Sequence, residues 1–335
     1  GRAAFVATGR GSTGSAGGGR VGRRAVLLAA PGLVIAGRSR AAAPVLLRVG
    51  DQKGGMRATM AAAGVLDDLP FRLEWSQFPS AAPVLQALDA GAVDAAFAGD
   101  APTTFAMAAG LRARIVAPVR SSGAGTAVVV PDGSPIRDAA GLKGRSVATS
   151  RGSIGHSLLL AVAASQGWPA SGIRLVNLMP AEAKAALASG AVDAWSSWGV
   201  YVAQARLADS ARVVVDGSGG LLAGLSYLVA GEDAIAARRA PLLEFCRRLA
   251  AARRWAQAHP AEYAHALAAE VGVTEAVARL TFDTDTPMPV AIDDAVIADE
   301  QRTADRCLDA GVIRERLDAG RMFDASFNEA LGKEG

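Results

Sequence analysis

From residue 45 onward, short apolar runs alternate with longer amphipathic stretches, and glycine-containing polar turns separate them. Val45-Leu46-Leu47-Arg48-Val49-Gly50 has the few polar positions expected of a strand covered on both faces. It ends in the polar turn Asp51–Gly55, and a helix is predicted from Met56 to Leu66. Phe71–Trp75 alternates with the period of a strand, whereas Pro83–Ala90 has helical spacing. Further strands are read at 115–119, 126–130, 146–149, 173–178, 212–215 and 225–229, with helices at 105–110, 154–166 and 181–188. Beyond residue 229 the chain turns alanine-rich and helical through about residue 320. Strands alternating with helices in this way predict parallel βαβ units and an α/β fold.

One stretch of the pattern occurs twice. Ala87-Leu88-Asp89-Ala90-Gly91-Ala92-Val93-Asp94-Ala95 returns 99 residues later as Ala186-Leu187-Ala188-Ser189-Gly190-Ala191-Val192-Asp193-Ala194. Each copy reads as a helix end, a glycine where the chain leaves the helix at positive φ, and a short apolar strand. A 99-residue period is too long for a solenoid, whose repeats run roughly 20–50 residues. It predicts two similar α/β lobes, with chance likeness among abundant Ala, Gly and Val as the alternative. Glycine-rich breaks at Ser121–Gly125 and Asp216–Gly220 mark two crossings between lobes. The first lobe is therefore expected from 44–122 and 222–330, and the second from 123–221.

Charge alters one part of this picture. The sequence pI is 9.1, but residues 1–43 hold seven arginines and no Asp or Glu. What remains has 28 basic against 32 acidic residues, a net charge of −4, which argues against a nucleic-acid surface. Arg23-Arg24 precedes an apolar run, 25–36, that is too short for the ~20 residues of a membrane span. With Ala41-Ala42-Ala43 behind it, this reads as a disordered extension plus an export signal of twin-arginine type, the general secretory route staying open because the usual Phe is missing. A mature chain starting near Pro44 is expected. Cys246 and Cys307 fall in helical sequence and read as two free thiols. With three histidines (His156, His259, His265) and no metal-ligand spacing, neither a metal nor any cofactor is expected.

Ligands of open α/β sheets bind outside the carboxyl ends of the strands. That rule selects the loops at 51–55, 99–102, 121–125, 151–156 and 195–201. Gly152-Ser153-Ile154-Gly155-His156-Ser157 lies between a strand and a helix, so its N–H groups and the helix dipole suit an anion. Ser153 is either an ordinary N-cap or a ligand donor. The loop lacks the G-K-[S/T] ending of a phosphate site, and Ser153 with His156 has no third residue or nucleophile elbow. Trp195 and Trp198 are either core or the apolar wall of a cleft.

At these loops the chain resembles the solute-binding proteins of ABC importers for aliphatic sulfonates, a group that also takes taurine and nitrate. The likeness rests on Val49–Gly55, on Ala90–Asp94 with Gly99-Asp100-Ala101-Pro102, on Leu142–Ala148 with Arg151–His156, and on Val192–Trp198. It implies a type II periplasmic binding fold, two α/β lobes joined by two crossover strands around a cleft. It implies ligand contacts at Gln52, Gly99, Asp100, Ser121, Ser153, Gly155, His156, Trp195 and Trp198, with a sulfonate held by neutral donors. It further implies a monomeric periplasmic receptor without catalysis, an inner-membrane permease as partner, and no nucleic acid. Taurine, nitrate, an aromatic sulfonate ester or a thiamine-precursor pyrimidine are the alternative ligands. A desulfinase-like enzyme shares this fold, but the first strand loop here has no cysteine. Asp100 is expected to cap its helix, organise donors or meet an amine, since a carboxylate repels a sulfonate. Gly199-Val200-Tyr201 stands where the family has Asp-Pro-Tyr, which removes a helix cap.

Overall fold

A computed structural model describes residues 44–332, so the expected leader at residues 1–43 lies outside the described residues. The first half of one lobe runs β1 (Leu46–Gln52), α1 (Met56–Ala62), β2 (Arg72–Phe78), α2 (Ala81–Asp89), β3 (Ala95–Gly99), α3 (Asp100–Ala108) and β4 (Ala113–Arg120). The other lobe follows as β5 (Thr126–Pro131), β6 (Ser146–Thr149), α4 (Ile154–Ser165), β7 (Arg174–Asn177), α5 (Pro180–Ala188), β8 (Ala194–Trp198), α6 (Val200–Ala208) and β9 (Ala211–Asp216). The chain then returns with β10 (Leu225–Gly231), α7 (Glu232–Ala258), α8 (Pro260–Val271), α9 (Glu275–Thr284), β11 (Met288–Pro289), α10 (Asp294–Asp309) and α11 (Asn328–Leu331). Among the described residues no helix is long and apolar enough to cross a membrane.

The two sheets follow one plan. The first has the order β11-β4-β10-β3-β1-β2 and the second β7-β6-β8-β5-β9. In each, the strand that has just crossed from the other lobe, β10 or β5, is inserted antiparallel between the third and fourth strands. The remaining pairs β1–β2, β1–β3, β6–β7 and β6–β8 are parallel, as short helical crossovers require. This is the α/β two-lobe architecture. Helices cover both faces of each sheet, so each sheet carries an apolar cluster on either side.

The repeated stretch does the same structural work in both lobes. Gly91 and Gly190 stand at φ +68° and +73°, and the next residue's N–H reaches back to Ala87 or Ala186 at 2.9 Å, closing the helix end. Asp94 then accepts the Arg48 N–H at 2.8 Å, and Asp193 accepts the Ser146 N–H at 2.8 Å. Each aspartate thus ties the start of its lobe's third strand to the first strand, and the strand ends are set as a consequence.

The crossings bond to one another. Ser121 N–H donates to Gly224 O at 2.8 Å and Gly217 N–H to Thr126 O at 2.9 Å. Three local readings shift. The helix expected at 105–110 starts at Asp100, the α7 helix is interrupted at Arg238, three residues before Pro241, and β11 went unread because two residues give no periodicity. Gly199 has φ +52° and ψ −128°, a conformation open to glycine alone, so α6 begins without a side-chain cap, as the lost Asp predicts.

Candidate functional site

Between the lobes lies an open cleft of about 1190 Å³, counting the part continuous with solvent. The carboxyl ends of parallel strands from both sheets feed it, as α/β topology demands. Gln52 closes β1, Gly99 closes β3 and Trp198 closes β8, while Ser153 sits in the loop after β6.

Five of the expected residues line the cleft: Gln52, Gly99, Ser121, Ser153 and Trp198. The Gln52 amide donates to the Phe97 carbonyl at 2.9 Å, which holds the side chain across the end of β3. Ser153 caps α4 by accepting the His156 N–H at 3.2 Å, and its hydroxyl lies 3.3 Å from that of Thr149. Both readings of Ser153 therefore coexist, a cap whose helix end forms the cleft wall beside Ile154. The first-turn N–H groups of a helix have no carbonyl of a preceding turn to bond, so this wall is electropositive without a formal charge. Trp198 is half-buried, its ring edge-on to Tyr201 at 5.9 Å between centroids.

The other four expected residues stand off the cleft wall. Trp195 is 2 % exposed and packs in the second lobe's core. Residues three apart on a strand point to opposite faces, so β8 sends Trp198 to the cleft and Trp195 inward. Gly155 is a close-approach position, because an added Cβ would meet Thr149 Oγ1 at 2.5 Å and Ser196 O at 2.8 Å. His156 turns back on its own loop and accepts the Gly152 N–H on Nδ1 at 3.2 Å, which places its proton on Nε2. Burial, with Arg151 nearby, lowers its pKa to about 4, so it is neutral at pH 7. Asp100 is not the N-cap, a position held by Gly99 without a side-chain bond, but the first residue of α3: its carboxylate accepts the Ala101 N–H at 2.7 Å and the Thr303 hydroxyl at 3.1 Å. Burial pushes its pKa up. Beside it the fully buried Glu300, pushed up further by burial and by Asp100, accepts from the Tyr227 hydroxyl at 2.7 Å and from Thr104.

Several lining residues escaped the sequence reading. Lys53 follows Gln52 into the cleft, and its place in the first strand loop was the available signal. Thr281, Thr284 and Asp285 also line it, from a helical tail that carries no local mark of a site. Asp285 binds the first crossing. Its carboxylate accepts from Ser121 Oγ at 2.9 Å, from Ser122 N and Oγ at 2.9 Å each, and from Gly125 N at 3.0 Å. The Ser121 hydroxyl is thereby committed to Asp285 rather than to the cleft interior.

Nothing in the cleft has the form of a nucleophile and base. Cys246 and Cys307 are free, buried thiols whose pKa burial raises to about 12, and a thiol in that state does not supply thiolate. Among the described residues no group of three or more His, Cys, Asp or Glu could hold a metal ion.

Residues 74–263 match the family described as NMT1/THI5 like. A protein of Escherichia coli (strain K12) named for binding aliphatic sulfonates is 35% identical over 214 residues, covering 62% of this chain and 67% of that protein. The alkanesulfonate-binding protein SsuA from Xanthomonas axonopodis pv. citri, solved bound to MOPS, superposes with a TM-score of 0.78 at 30% identity, over 85% of this chain and 99% of that one. The periplasmic aliphatic sulphonate binding protein SsuA from Escherichia coli superposes at 0.73 with 27% identity, over 86% and 100%.

Proposed function

The chain belongs to the NMT1/THI5-like family, and from that membership we propose that it is the ligand-capturing subunit of an ABC importer, taking aliphatic sulfonates in the periplasm and presenting them to an inner-membrane permease. The observation that carries the reading is the pairing within one cleft of an electropositive helix end, at Ser153 and Ile154, with an indole wall at Trp198. An oxyanion with an apolar tail matches both. Neutral donors in such a cleft select this anion without permanent charge pairing, which keeps release fast.

In this reading Gln52, Gly99 and Ser153 face the sulfonate head, Lys53 adds a cation at the rim, and Trp198 covers the tail. Asp100, Gly155, His156 and Trp195 act one layer behind, shaping the loops that bear the contacts. The lobe limits 44–122 with 222–330 and 123–221, a monomeric receptor and export by the leader at residues 1–43 belong to the same proposal. Similar proteins named for binding support a receptor, and the two buried thiols support the absence of catalysis, although a desulfurization enzyme shares the fold at 17% identity.

Calorimetry with a panel of ligands tests it. Alkanesulfonates should bind with one site per chain, taurine and nitrate more weakly, and neutral sugars not at all. Trp198→Phe should weaken alkanesulfonate binding by roughly tenfold, about 1.4 kcal/mol, and remove most of the ligand-induced change in tryptophan fluorescence. Silence of the native protein toward every sulfonate, or an unchanged affinity in the variant, refutes the assignment.

A further inference from the structure

Arg253, on α7, is 5 % exposed, the one fully buried guanidinium among the described residues. It takes part in none of the ion pairs of the described residues, and its buried Nε has no hydrogen-bond acceptor. The guanidinium carbon stands 5.5 Å from the centroid of the Phe97 ring. Asp51 lends it a favourable field, but that carboxylate is turned to the backbone N–H groups of Gln52 and Arg57. Burial holds the Arg253 pKa below its usual value, the mark of a cation whose lost hydration is not replaced. A buried charge without hydrogen-bonded compensation is costly, and a guanidinium brings five donors to satisfy.

The side chain borders a small recess lined also by Tyr263, Thr281, Asp285 and Pro287. Thr281, Asp285 and Pro287 line the main cleft too, so the recess opens from the cleft wall. The Tyr263 hydroxyl borders it beside Arg253, and the remaining polar side chains are engaged elsewhere. The Thr281 and Thr286 hydroxyls donate to the carbonyls of Val277 and Phe282, and both Asp285 oxygens accept from the crossing segment. What the recess offers an occupant is guanidinium N–H, since Arg253 Nε has no acceptor within reach, and the carboxylate on its wall, Asp285, is engaged by four donors of the crossing segment.

We propose that this recess is a second anion subsite, in which Arg253 holds one small monoanionic acceptor, either a halide or an acidic terminus at the far end of a cleft ligand. The inference goes beyond the receptor function, since the subsite is separate from the helix end at Ser153. A ligand bearing an acid at each end would bridge the two.

The tests use the full chain. In ligand-free protein, replacing gluconate by about 100 mM chloride at constant ionic strength should raise the melting midpoint by roughly 2–4 °C. The rise should vanish in Arg253→Met and survive in part in Arg253→Lys. Crystals of the native protein soaked in bromide should show anomalous density against the guanidinium, a result that stands even where the methionine variant does not fold. Calorimetry then compares an alkanesulfonate with a sulfocarboxylate of equal length, and the second should lose at least about tenfold more affinity in Arg253→Met. A halide response identifies an inorganic occupant, and discrimination against the dianion alone identifies the ligand's terminus. Absence of both means that water fills the recess, and overturns the proposal. Because the halide measurements involve no cleft ligand, they succeed or fail separately from the sulfonate assignment.

Discussion

At the scale of single residues, position on an element decides function more than residue type does. Trp195 and Trp198 look equivalent in the sequence, yet the strand's period of two sends one into a core and the other to the cleft. His156 looks like a donor on an anion loop, yet it serves its own loop by accepting the Gly152 N–H, at a glycine with φ +77°. Its pKa, lowered from 6.5 to about 4, has a thermodynamic consequence. Between those values the unfolded chain binds a proton that the folded chain refuses, so stability rises with pH across that window. The contribution is complete above pH 6.5 and is lost as the pH falls toward 4, by about 3 kcal/mol at most. His156→Gln, which keeps an acceptor for Gly152, should flatten this segment of the curve. Urea midpoints at pH 7 and pH 4.5 that fall equally in both proteins would sink the idea.

At the scale of elements, the duplicated helix–glycine–strand unit is a structural device for aiming strands. Asp94 is 3 % exposed and engages both the Arg48 N–H and its guanidinium, whereas Asp193 is 38 % exposed and engages the Ser146 N–H and hydroxyl. Equivalent substitutions should therefore cost unequally. Asp94→Ala strands a backbone donor and an arginine and should cost about 3 kcal/mol. Asp193→Ala removes a partly exposed carboxylate whose place water can take beside the Ser146 donors, and should cost about 1 kcal/mol. Equal losses in chemical denaturation would show that the two copies are not differentiated as their burial indicates. The two units also meet in space. Ser80 and Met179, 99 residues apart like the repeat itself, each precede the helix that leads into a copy, and they touch across the lobes at 3.8 Å.

At the scale of the whole molecule, the crossings and the C-terminal helices govern how the lobes sit. Val200, at the start of α6, packs against Ala58, Leu267 and Ala278 of the other lobe, so the second lobe rests on α8 and α9. The crossings are held close by Gly224, where an added Cβ would stand 2.1 Å from the Ser121 carbonyl oxygen at a φ of +68°. Gly224→Ala should lower stability by roughly 2–4 kcal/mol through overpacking and backbone strain. It should also blunt any ligand-induced compaction, measured by small-angle scattering. A variant with native melting and native compaction would remove the crossings from the account.

The sequence by itself determined what local physics writes into local patterns. The strand and helix periods, the glycines that end helices and the 99-residue repeat led to two α/β lobes. The strand-end rule led to the loops at 51–55, 99–102, 121–125, 151–156 and 195–201, and the family resemblance to nine residues in them. Of these, Gln52, Gly99, Ser121, Ser153 and Trp198 line the cleft while Asp100, Gly155, His156 and Trp195 stand behind it. Tertiary structure alone decided which face each side chain presents and which distant segments join the wall. Asp285 reaches Ser121 across 164 residues, and Arg253 comes from a helix whose spacing reads only as packing. Periodicity reports the environment of an element's faces, averaged over several residues. The partner of one side chain depends on where the chain returns, and no local pattern encodes that return.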